Sequence, residues 1–318
     1  MLVRDTHIDN IKGLLMLLVV FGHLVYPVPN PDAATDAAYV FVYGFHMPMF
    51  ALVSGYLSHA NWSWTGQWGG VKQLLIPYAM FACLQWVLLK AAGQQPYPLY
   101  EGQFGLWFLL SLFCWRALLP LVVRLPAPMA ICVALSLLSG FVSEVGMEFS
   151  LARTINFLPF FLAGHLMRTR GVSPARTMKR SVALVVVMVS VVAAVMLSEG
   201  NVHNTLFGAF SYQAIGVPPG IGPAVRLAQF LLACASGLAV LTLVPKQNGL
   251  LSRFGQNSLY VYLLHSPLLV LYRAWPANYD ILGSQPLLMI PVAVGVCWVL
   301  SSEIMMTMTR RLVAPFAK

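Results

Sequence analysis

Charge is the property that this 318-residue sequence has least of. Only 9% of its residues are charged and 59% are hydrophobic, whereas soluble globular domains carry about 25% charged residues. The composition therefore excludes a soluble globular domain and predicts a chain embedded in lipid. The formal net charge of +9 does not indicate a nucleic-acid partner, because the cations lie in short gaps between apolar runs and form no basic stripe with interleaved aromatics.

Spaced ligand pairs and the loops of soluble enzymes are absent as well. The five cysteines include no CxxC pair, so the sequence predicts neither a disulfide framework nor a cysteine metal site. No His-x3-His pair offers zinc ligands, and we expect no bound metal. There is also no G-x-S-x-G elbow and no Gly-rich phosphate loop after a strand, which argues against a serine hydrolase and against a nucleotide-binding fold.

Long apolar runs are what the sequence does have. Ten of them approach the roughly twenty residues that a membrane-spanning helix needs. The first run enters through charged residues and has no small-x-small cleavage site before Pro27, so we expect a retained helix and not a signal peptide. The pattern predicts an all-α polytopic membrane protein with a single transmembrane domain over residues 1–318. The ten predicted spans are 9–28, 38–58, 72–91, 104–123, 128–146, 153–168, 181–198, 223–244, 255–273 and 286–308.

The positions of the cations predict how the chain crosses the membrane. If the N-terminus is cytoplasmic, 15 of the 19 Lys and Arg residues fall on the inner side and 4 on the outer side. The positive-inside rule describes this bias. We therefore predict that both termini and the loop 169–180 are cytoplasmic. The long outer segment 199–222 either lies in the membrane interface, covers a site as a lid, or is a simple connector.

Two polar residues of the first span, Lys12 and His23, lie eleven positions apart. Eleven steps of 100° return to within about 20° of the start, so the two residues share one helix face, roughly 16 Å apart along the axis. Ionisable residues inside a membrane helix are costly and usually functional, and a neutral imidazole can act as a general base. The structural alternatives are an interhelical hydrogen bond for His23 and, for Lys12, a rim anchor or an ion pair with Asp9.

Six motifs follow one another in an order that resembles a known family. Lys12-x10-His23 resembles the Arg/Lys-x10-His signature of the acyltransferase-3 family of membrane acyltransferases, and residues 45–56 resemble its second-helix motif. The four further motifs are 72–78, 106–110, 153–164 and 258–265. The sequence looks most similar to the branch described as fucose 4-O-acetylase-like.

The resemblance implies a fold, an activity and substrates. The implied fold has about ten transmembrane helices around a central cavity. The implied activity is that of an O-acetyltransferase in the plasma (inner) membrane, which uses cytoplasmic acetyl-CoA as a transient donor and holds no permanent cofactor. The implied acceptor is a hydroxyl of a cell-envelope or exported saccharide, or of a lipid-linked saccharide, at the outer face. The resemblance leaves open whether the acyl group is acetyl or larger.

The same resemblance implies roles for individual residues. His23 and His46 are the candidate catalytic residues, and Arg153 and His265 are candidates for binding the acceptor. Cations on the inner side would bind the phosphates of coenzyme A: Lys12, Lys72, Arg116 and Arg124.

Some of these residues also have structural alternatives. Arg153 could instead form an ion pair with Glu144 or Glu148, which lie on the same predicted side. Ser54 and Gly55, within the second motif, favour a close approach of two helices over a catalytic role.

A transporter or channel is the main alternative function, with the intramembrane His, Lys and Arg residues lining a permeation path. Transporters often contain inverted repeats with broken helices, and we see no such repeat in the sequence. A further alternative is a non-catalytic protein for acyl sensing or assembly. Release of free coenzyme A from acetyl-CoA would distinguish an enzyme from both.

Overall fold

The chain is helical throughout the part that the structure describes. The computed structural model describes residues 5–25, 32–96, 98–101, 105–200, 202–273 and 285–316. No β-strand occurs in these ranges, which confirms the all-α prediction. The α-helices of these ranges are α1 (Thr6–Val25), α2 (Ala33–Tyr56), α3 (Trp64–Gly70), α4 (Ile76–Ala91), α5 (Trp107–Val122), α6 (Pro128–Ser139), α7 (Leu151–Thr169), α8 (Arg180–Ser198), α9 (His203–Leu206), α10 (Gly222–Leu243), α11 (Leu250–Gln256), α12 (Ser258–Arg273), α13 (Pro286–Leu300) and α14 (Glu303–Val313). A π-helical turn, Val71–Leu75, joins α3 to α4, and short 3₁₀ turns cover Leu99–Glu101, Glu148–Ser150 and Pro174–Arg176.

Within the described ranges, five helical stretches are long and apolar enough to cross a membrane. They are α1, α2, the stretch Trp64–Ala91, α8 and α10, and a sixth is obtained if the bent pair α13 and α14 forms one span. The protein is therefore an integral membrane protein. A helix lies in each of the ten predicted segments, but α5 and α6 contain only 16 and 12 residues, so the count of ten spans stays a prediction.

The last predicted span, 286–308, is not one continuous helix. α13 and α14 are bent by 71° relative to each other. At the break, Arg253 Nε and Asn257 Nδ2 each donate a hydrogen bond to the Ser301 carbonyl at 3.2 Å. These donors satisfy a carbonyl that lacks an intrahelical partner at the end of α13, so the helix can stop there.

The predicted span 128–146 is shorter in the structure, because α6 ends at Ser139. Gly140 follows, and the ring of Tyr212 occupies the space that a side chain at position 140 would need. The Tyr212 N–H donates to the Gly140 carbonyl, and its hydroxyl donates to the Leu137 carbonyl, both at 2.8 Å. These bonds satisfy the last carbonyls of α6 and terminate the helix.

The described chain forms two compact units. Unit 1 contains the described residues of Met1–Met47, Ala175–Asn201 and Ala235–Val313, and unit 2 contains those of Pro48–Pro174, Val202–Cys234 and Ala314–Lys318. Helices α2 and α10 each contribute residues to both units. A single functional domain over 1–318 stays a prediction.

Unit 1 is organised around the crossing of α1 and α11, which meet at two glycines. A Cβ on Gly13 would collide with the Leu251 carbonyl, and a Cβ on Gly255 would collide with the Asp9 carbonyl. Small residues that let two backbones touch are a common basis of helix packing in membranes. Asn10, buried beside this crossing, donates to two backbone carbonyls at 2.8 Å each. These contacts therefore fix the position of the N-terminal half of α1.

Unit 2 contains a similar crossing between α2 and α7. A Cβ on Gly55 would collide with the Phe161 carbonyl, and a Cβ on Gly164 would collide with the Leu52 carbonyl. The prediction that Gly55 serves a close helix approach is therefore confirmed.

Candidate active site

The central feature of the site is a pair of histidines from distant parts of the chain. His23 lies in the last turn of α1, and His265 lies in the middle of α12. His23 Nδ1 and His265 Nε2 are 3.0 Å apart, which is a hydrogen-bond distance. The ring planes are 14° apart and the centroids are separated by 5.2 Å. The two nitrogens are closer than the roughly 3.5 Å that separates the atoms of rings stacked face to face. The rings therefore meet edge to edge, with nitrogen against nitrogen.

His265 is the buried member of this pair, with 1% of its surface exposed. Its Nδ1 lies 3.0 Å from the carbonyl of Val261, one turn earlier on α12. A carbonyl can only accept, so Nδ1 carries a hydrogen and donates it. This bond holds the imidazole in one orientation, with Nε2 directed at His23.

Arg273 brings a permanent positive charge to the same place. Its Nη2 donates to the His23 carbonyl at 3.1 Å. The last carbonyls of a helix lack intrahelical partners and carry the negative end of the helix dipole, so that a cation there is stabilising. Helix α12 therefore contacts the end of α1 twice, once through each of these side chains.

His46 approaches the first helix through a tyrosine. It is 2% exposed, and its Nδ1 donates to the Val42 carbonyl at 2.8 Å. Its ring packs edge-on against Tyr43 with a centroid distance of 4.8 Å, and the Tyr43 hydroxyl donates to the Gly22 carbonyl at 3.5 Å. A Cβ at Gly22 would lie 2.9 Å from the Tyr43 ring, so the glycine makes room for it. The structure thus brings Tyr43 against the residue that precedes His23.

Unit 1 therefore holds the three histidines singled out from the sequence, His23, His46 and His265, together with Arg273 and Tyr43, which were not singled out. The bond between His23 and His265 is the interhelical hydrogen bond that the sequence left open as the structural alternative for His23, although no sequence pattern identified the partner. The acceptor-binding role of His265 stays a prediction. Arg273 is one of the four cations that the charge distribution puts on the outer side, and no pattern in the sequence distinguishes Tyr43. The sequence offered no signal for either, since both act through backbone carbonyls of a distant helix.

Lys12 lies on α1 with His23, as the spacing predicts. Its Nζ is 3.6 Å from an oxygen of Asp9, three residues earlier, so the ion pair that the sequence left open as one alternative is present. A role for Lys12 in binding the acyl donor stays a prediction.

The other three cations predicted to bind the donor belong to unit 2. Lys72 lies in the π-helical turn, with Nζ 5.7 Å from the ring centroid of Trp68 and 5.5 Å from that of Phe316. Arg116 lies in α5 and is partly buried, and within the described ranges its side chain makes no hydrogen bond or ion pair. Arg124 is exposed in the turn after α5. An arginine at intermediate burial without a protein partner is a candidate for binding an anion.

Arg153, the predicted acceptor-binding residue of α7, contacts the segment 199–222. Its Nε donates to the Phe207 carbonyl at 3.4 Å, and its guanidinium lies 5.1 Å from the ring centroid of Trp107. Binding of the acceptor by Arg153 stays a prediction.

The segment 199–222 is itself held by a buried arginine. Arg226 is 6% exposed and donates to the carbonyls of Ser136 and Phe210 at 2.6 and 3.1 Å. Its guanidinium also lies 4.7 Å from the ring centroid of Tyr212. These contacts pack the segment against α6 around Phe210 and Tyr212, which favours a connector over a lid for this part of it.

Comparisons with known proteins place the chain in a family. The profile of the acyltransferase domain family matches residues 5–302. Nodulation protein NolL of Mesorhizobium japonicum is 38% identical over 95 residues, which cover 28% of this chain and 26% of that protein. NolL of Sinorhizobium fredii is 39% identical over 88 residues, which cover 26% of this chain and 24% of that protein. The chain thus matches about a quarter of the length of these curated relatives.

No solved structure matches the chain. The family profile, in contrast, extends over nearly all of it, from the residue before α1 to the break between α13 and α14. The matched range includes every candidate residue from Lys12 to His265. On this match the chain belongs to the acyltransferase-3 family of membrane acyltransferases.

Proposed function

We propose that this protein is a membrane O-acetyltransferase. It transfers an acetyl group from cytoplasmic acetyl-CoA to a hydroxyl of a cell-envelope or exported saccharide, free or lipid-linked, at the outer face of the plasma (inner) membrane. The observation that carries the proposal is the hydrogen bond between His23 and His265 at the end of α1, in a chain that belongs to an acyltransferase family. Histidine is the side chain most often used as a general base.

In this proposal His23 is the general base. Its imidazole takes the proton of the acceptor hydroxyl while the hydroxyl oxygen attacks the thioester carbonyl. A carbon–oxygen bond forms, the carbon–sulfur bond breaks, and the proton passes from the imidazole to the sulfur. The products are an acetyl ester and free coenzyme A, and His23 returns to its neutral form. His46, which packs on Tyr43 beside the first helix, assists at the same site.

The phosphates of the donor bind to the inner cations. Arg116 supports this assignment, because a partly buried guanidinium without a hydrogen bond or ion pair in the described chain is costly unless it meets an anion. Lys12, Lys72 and Arg124 supply further charge, and guanidinium–phosphate bonds are charge-assisted and strong. The pantetheine arm runs along α1 from Lys12, and the rise from Lys12 to His23 is roughly 16 Å.

The acceptor approaches from the other side, near Arg153 and the segment 199–222. In this arrangement the acetyl group crosses the membrane while the large, charged coenzyme does not. The route depends on a narrow cavity between helices, since polar groups at membrane depth are tolerated where they line a cavity or are buried in protein.

Sealed vesicles with the protein in one known orientation test this proposal. Radiolabelled acetyl-CoA is supplied on the side of the N-terminus and a soluble saccharide on the other side. We expect acetylated saccharide together with an equal amount of free coenzyme A. Transfer only when both substrates are on the same side would contradict the cross-membrane route, and uptake of the saccharide without release of coenzyme A would favour a transporter.

The orientation of the chain has its own test. In a protein without its native cysteines, Ala175→Cys and Thr205→Cys are treated with a membrane-impermeant thiol reagent in intact cells. We expect labelling at position 205 and none at position 175, because the cation distribution puts 169–180 inside. The reverse pattern would show that the predicted topology is inverted.

A further inference from the structure

We infer that His265 is a positioning residue, which holds His23 in the one tautomer whose Nε2 can act as the base. The inference rests on the proposed function, in which His23 accepts the proton of the acceptor. It assigns His265 a task other than binding that acceptor.

The first step concerns the hydrogen on His265. Its Nδ1 donates to the Val261 carbonyl, so one ring nitrogen is committed as a donor. A neutral imidazole has a single N–H, and its other nitrogen, Nε2, then carries a lone pair. The neutral form is the one expected here, because His265 is 1% exposed and the guanidinium of Arg273 already brings a positive charge to this helix end. A second positive charge at this buried position, next to the guanidinium, would be costly.

The second step follows from the 3.0 Å contact. His23 Nδ1 faces an acceptor, His265 Nε2, so that it must carry the hydrogen and donate it. The hydrogen of neutral His23 therefore lies on Nδ1, and the lone pair lies on Nε2. The direction of both hydrogen bonds, from His23 to His265 and from His265 to Val261, is fixed by the Val261 carbonyl, because a carbonyl can only accept. A backbone group of α12 in this way determines which nitrogen of a side chain on α1 is basic.

Comparison with His46 shows why His23 needs a partner. His46 and His265 both donate from Nδ1 to the carbonyl four residues earlier, those of Val42 and Val261. Each of these two imidazoles has its tautomer set by its own helix. His23 Nδ1 instead faces another side chain, and its tautomer therefore depends on the packing of α12 against α1.

The same bond has a use during the reaction. When His23 Nε2 takes the proton of the acceptor hydroxyl, the ring becomes a cation and its Nδ1–H bond to His265 becomes charge-assisted. Such bonds are roughly twice as strong as neutral ones. The bond therefore stabilises the cation while it exists, and the proton leaves through Nε2 to the coenzyme A sulfur, so that His265 has the same hydrogens before and after.

Two substitutions of His265 test whether catalysis requires an acceptor for the His23 Nδ1 hydrogen or only a polar side chain at position 265. In His265→Gln the amide oxygen reaches approximately the position of Nε2 and can still accept from His23. In His265→Asn the shorter amide reaches only the position of Nδ1 and can bond to Val261, but offers His23 no acceptor. We expect kcat to stay within about tenfold of the wild type for Gln and to fall by about 100-fold for Asn, within the range that general-base catalysis contributes. KM for both substrates should change little in either variant, which an acceptor-binding role would not allow.

His165→Asn is the matched control. His165 is also buried in a helix, and its Nδ1 bonds to the Ser58 carbonyl at 3.1 Å, but it contacts neither His23 nor His265. We expect kcat of this variant to remain at the wild-type value. Equal losses of kcat in His265→Gln and His265→Asn would overturn the inference.

A measurement that does not need turnover completes the test. In protein labelled with ¹⁵N in its histidine rings, solid-state NMR distinguishes a protonated from an unprotonated ring nitrogen, and His23→Gln identifies the signals of His23. We expect a protonated Nδ1 and an unprotonated Nε2 for His23 in the wild type, and a mixture of tautomers in His265→Asn. A protonated Nε2 in the wild-type protein would overturn the inference even if no variant folded. Loss of the proposed function, in contrast, would appear as wild-type turnover in His23→Gln, whatever the tautomer.

Discussion

In both units polar side chains bond to backbone carbonyls, but only unit 1 contains the contact between the imidazoles of His23 and His265. In unit 2 the arginines Arg153, Arg168 and Arg226 each donate to a backbone carbonyl and lie over an aromatic ring. In unit 1 the arginines Arg253 and Arg273 also donate to backbone carbonyls, but His23 bonds to a second imidazole. A carbonyl cannot exchange protons, whereas an imidazole can gain and lose one near neutral pH. Under the proposed function the proton chemistry therefore belongs to unit 1, and the bonds of Arg226 in unit 2 indicate a structural role.

Arg116 differs from these three arginines of unit 2. It lies on α5, and within the described ranges it has no carbonyl partner and lies over no aromatic ring. The three other arginines are held by the protein itself, so Arg116 is the arginine of this group that a phosphate can engage without breaking existing bonds. Four substitutions test this division, beginning with the largest expected effect.

His23→Gln should have the largest effect, because it removes the base and leaves an amide that cannot take a proton. We expect kcat to fall by about 10³-fold, within the range for general-base catalysis, with the affinity for acetyl-CoA retained. Steady-state kinetics and binding of coenzyme A to the purified protein measure the two quantities. The control is His165→Gln, whose kcat should not change. A similar loss in both variants would mean that any buried histidine matters equally, and the comparison between the units would fail.

Arg226→Met should act on stability instead of on chemistry. The substitution leaves the carbonyls of Ser136 and Phe210 without their donor, and each unsatisfied buried group costs about 1–3 kcal/mol. We expect the free energy of unfolding to fall by about 2–4 kcal/mol, measured by denaturation in lipid nanodiscs, with KM unchanged at low temperature. Arg170→Met, at an exposed position, is the control and should change stability by less than about 0.5 kcal/mol. A specific loss of substrate binding in Arg226→Met would refute its structural role.

Arg116→Met should show the opposite behaviour. Hydrogen bonds to charged groups contribute about 1.5–3 kcal/mol, and each 1.4 kcal/mol is about tenfold in affinity. We expect Kd for acetyl-CoA to rise by about 10- to 100-fold, with no loss of folding stability. Titration with coenzyme A and with its 3′-dephospho form shows which phosphate is contacted. If Arg116→Met instead unfolds like Arg226→Met, the arginine belongs with the structural set.

Gly13→Ala should have the smallest of these effects. It tests whether packing of α11 against α1 positions His23, the proposed base. The added Cβ collides with the Leu251 carbonyl at the crossing of α1 and α11, and overpacking of this kind costs about 1–3 kcal/mol. Gly44→Ala is the matched control, because a Cβ there meets nothing within 4 Å, and alanine is favoured over glycine in a helix. Thermal unfolding should separate the two variants, and kcat should fall only in Gly13→Ala. Equal stability would show that α11 does not fix α1.

The sequence predicted the structural features that depend on residues close together in the chain. The helices α1 and α2 follow from long apolar runs. The ion pair of Lys12 with Asp9 and the close packing at Gly55 were structural alternatives suggested by neighbouring residues. The bend between α13 and α14 could not be predicted in this way, because it depends on Arg253, whose Nε reaches Ser301 from 48 positions away in the chain. By hydropathy, 286–308 is one apolar run. Hydropathy cannot predict a break that is stabilised by a hydrogen-bond donor on another helix.

The candidate site divides in the same way. His23 and His46 stand out in the sequence because an ionisable side chain in an apolar helix is costly and therefore rarely incidental. The contact of His23 with His265 could not be predicted from the sequence, because the two residues are 242 positions apart and no periodicity connects them. Arg116 stands out in the sequence for the same reason as the histidines, but only the structure separates it from Arg226, whose donors are occupied.

By itself, the sequence determined that this protein is helical and lies in a membrane, because a chain in lipid must satisfy its backbone hydrogen bonds within its own helices. It also determined which side chains are too polar for that environment. Only the tertiary structure decided which nitrogen of His23 carries the hydrogen. The reason is that an isolated imidazole has two tautomers, and the choice between them belongs to whichever donor or acceptor the fold brings to 3.0 Å.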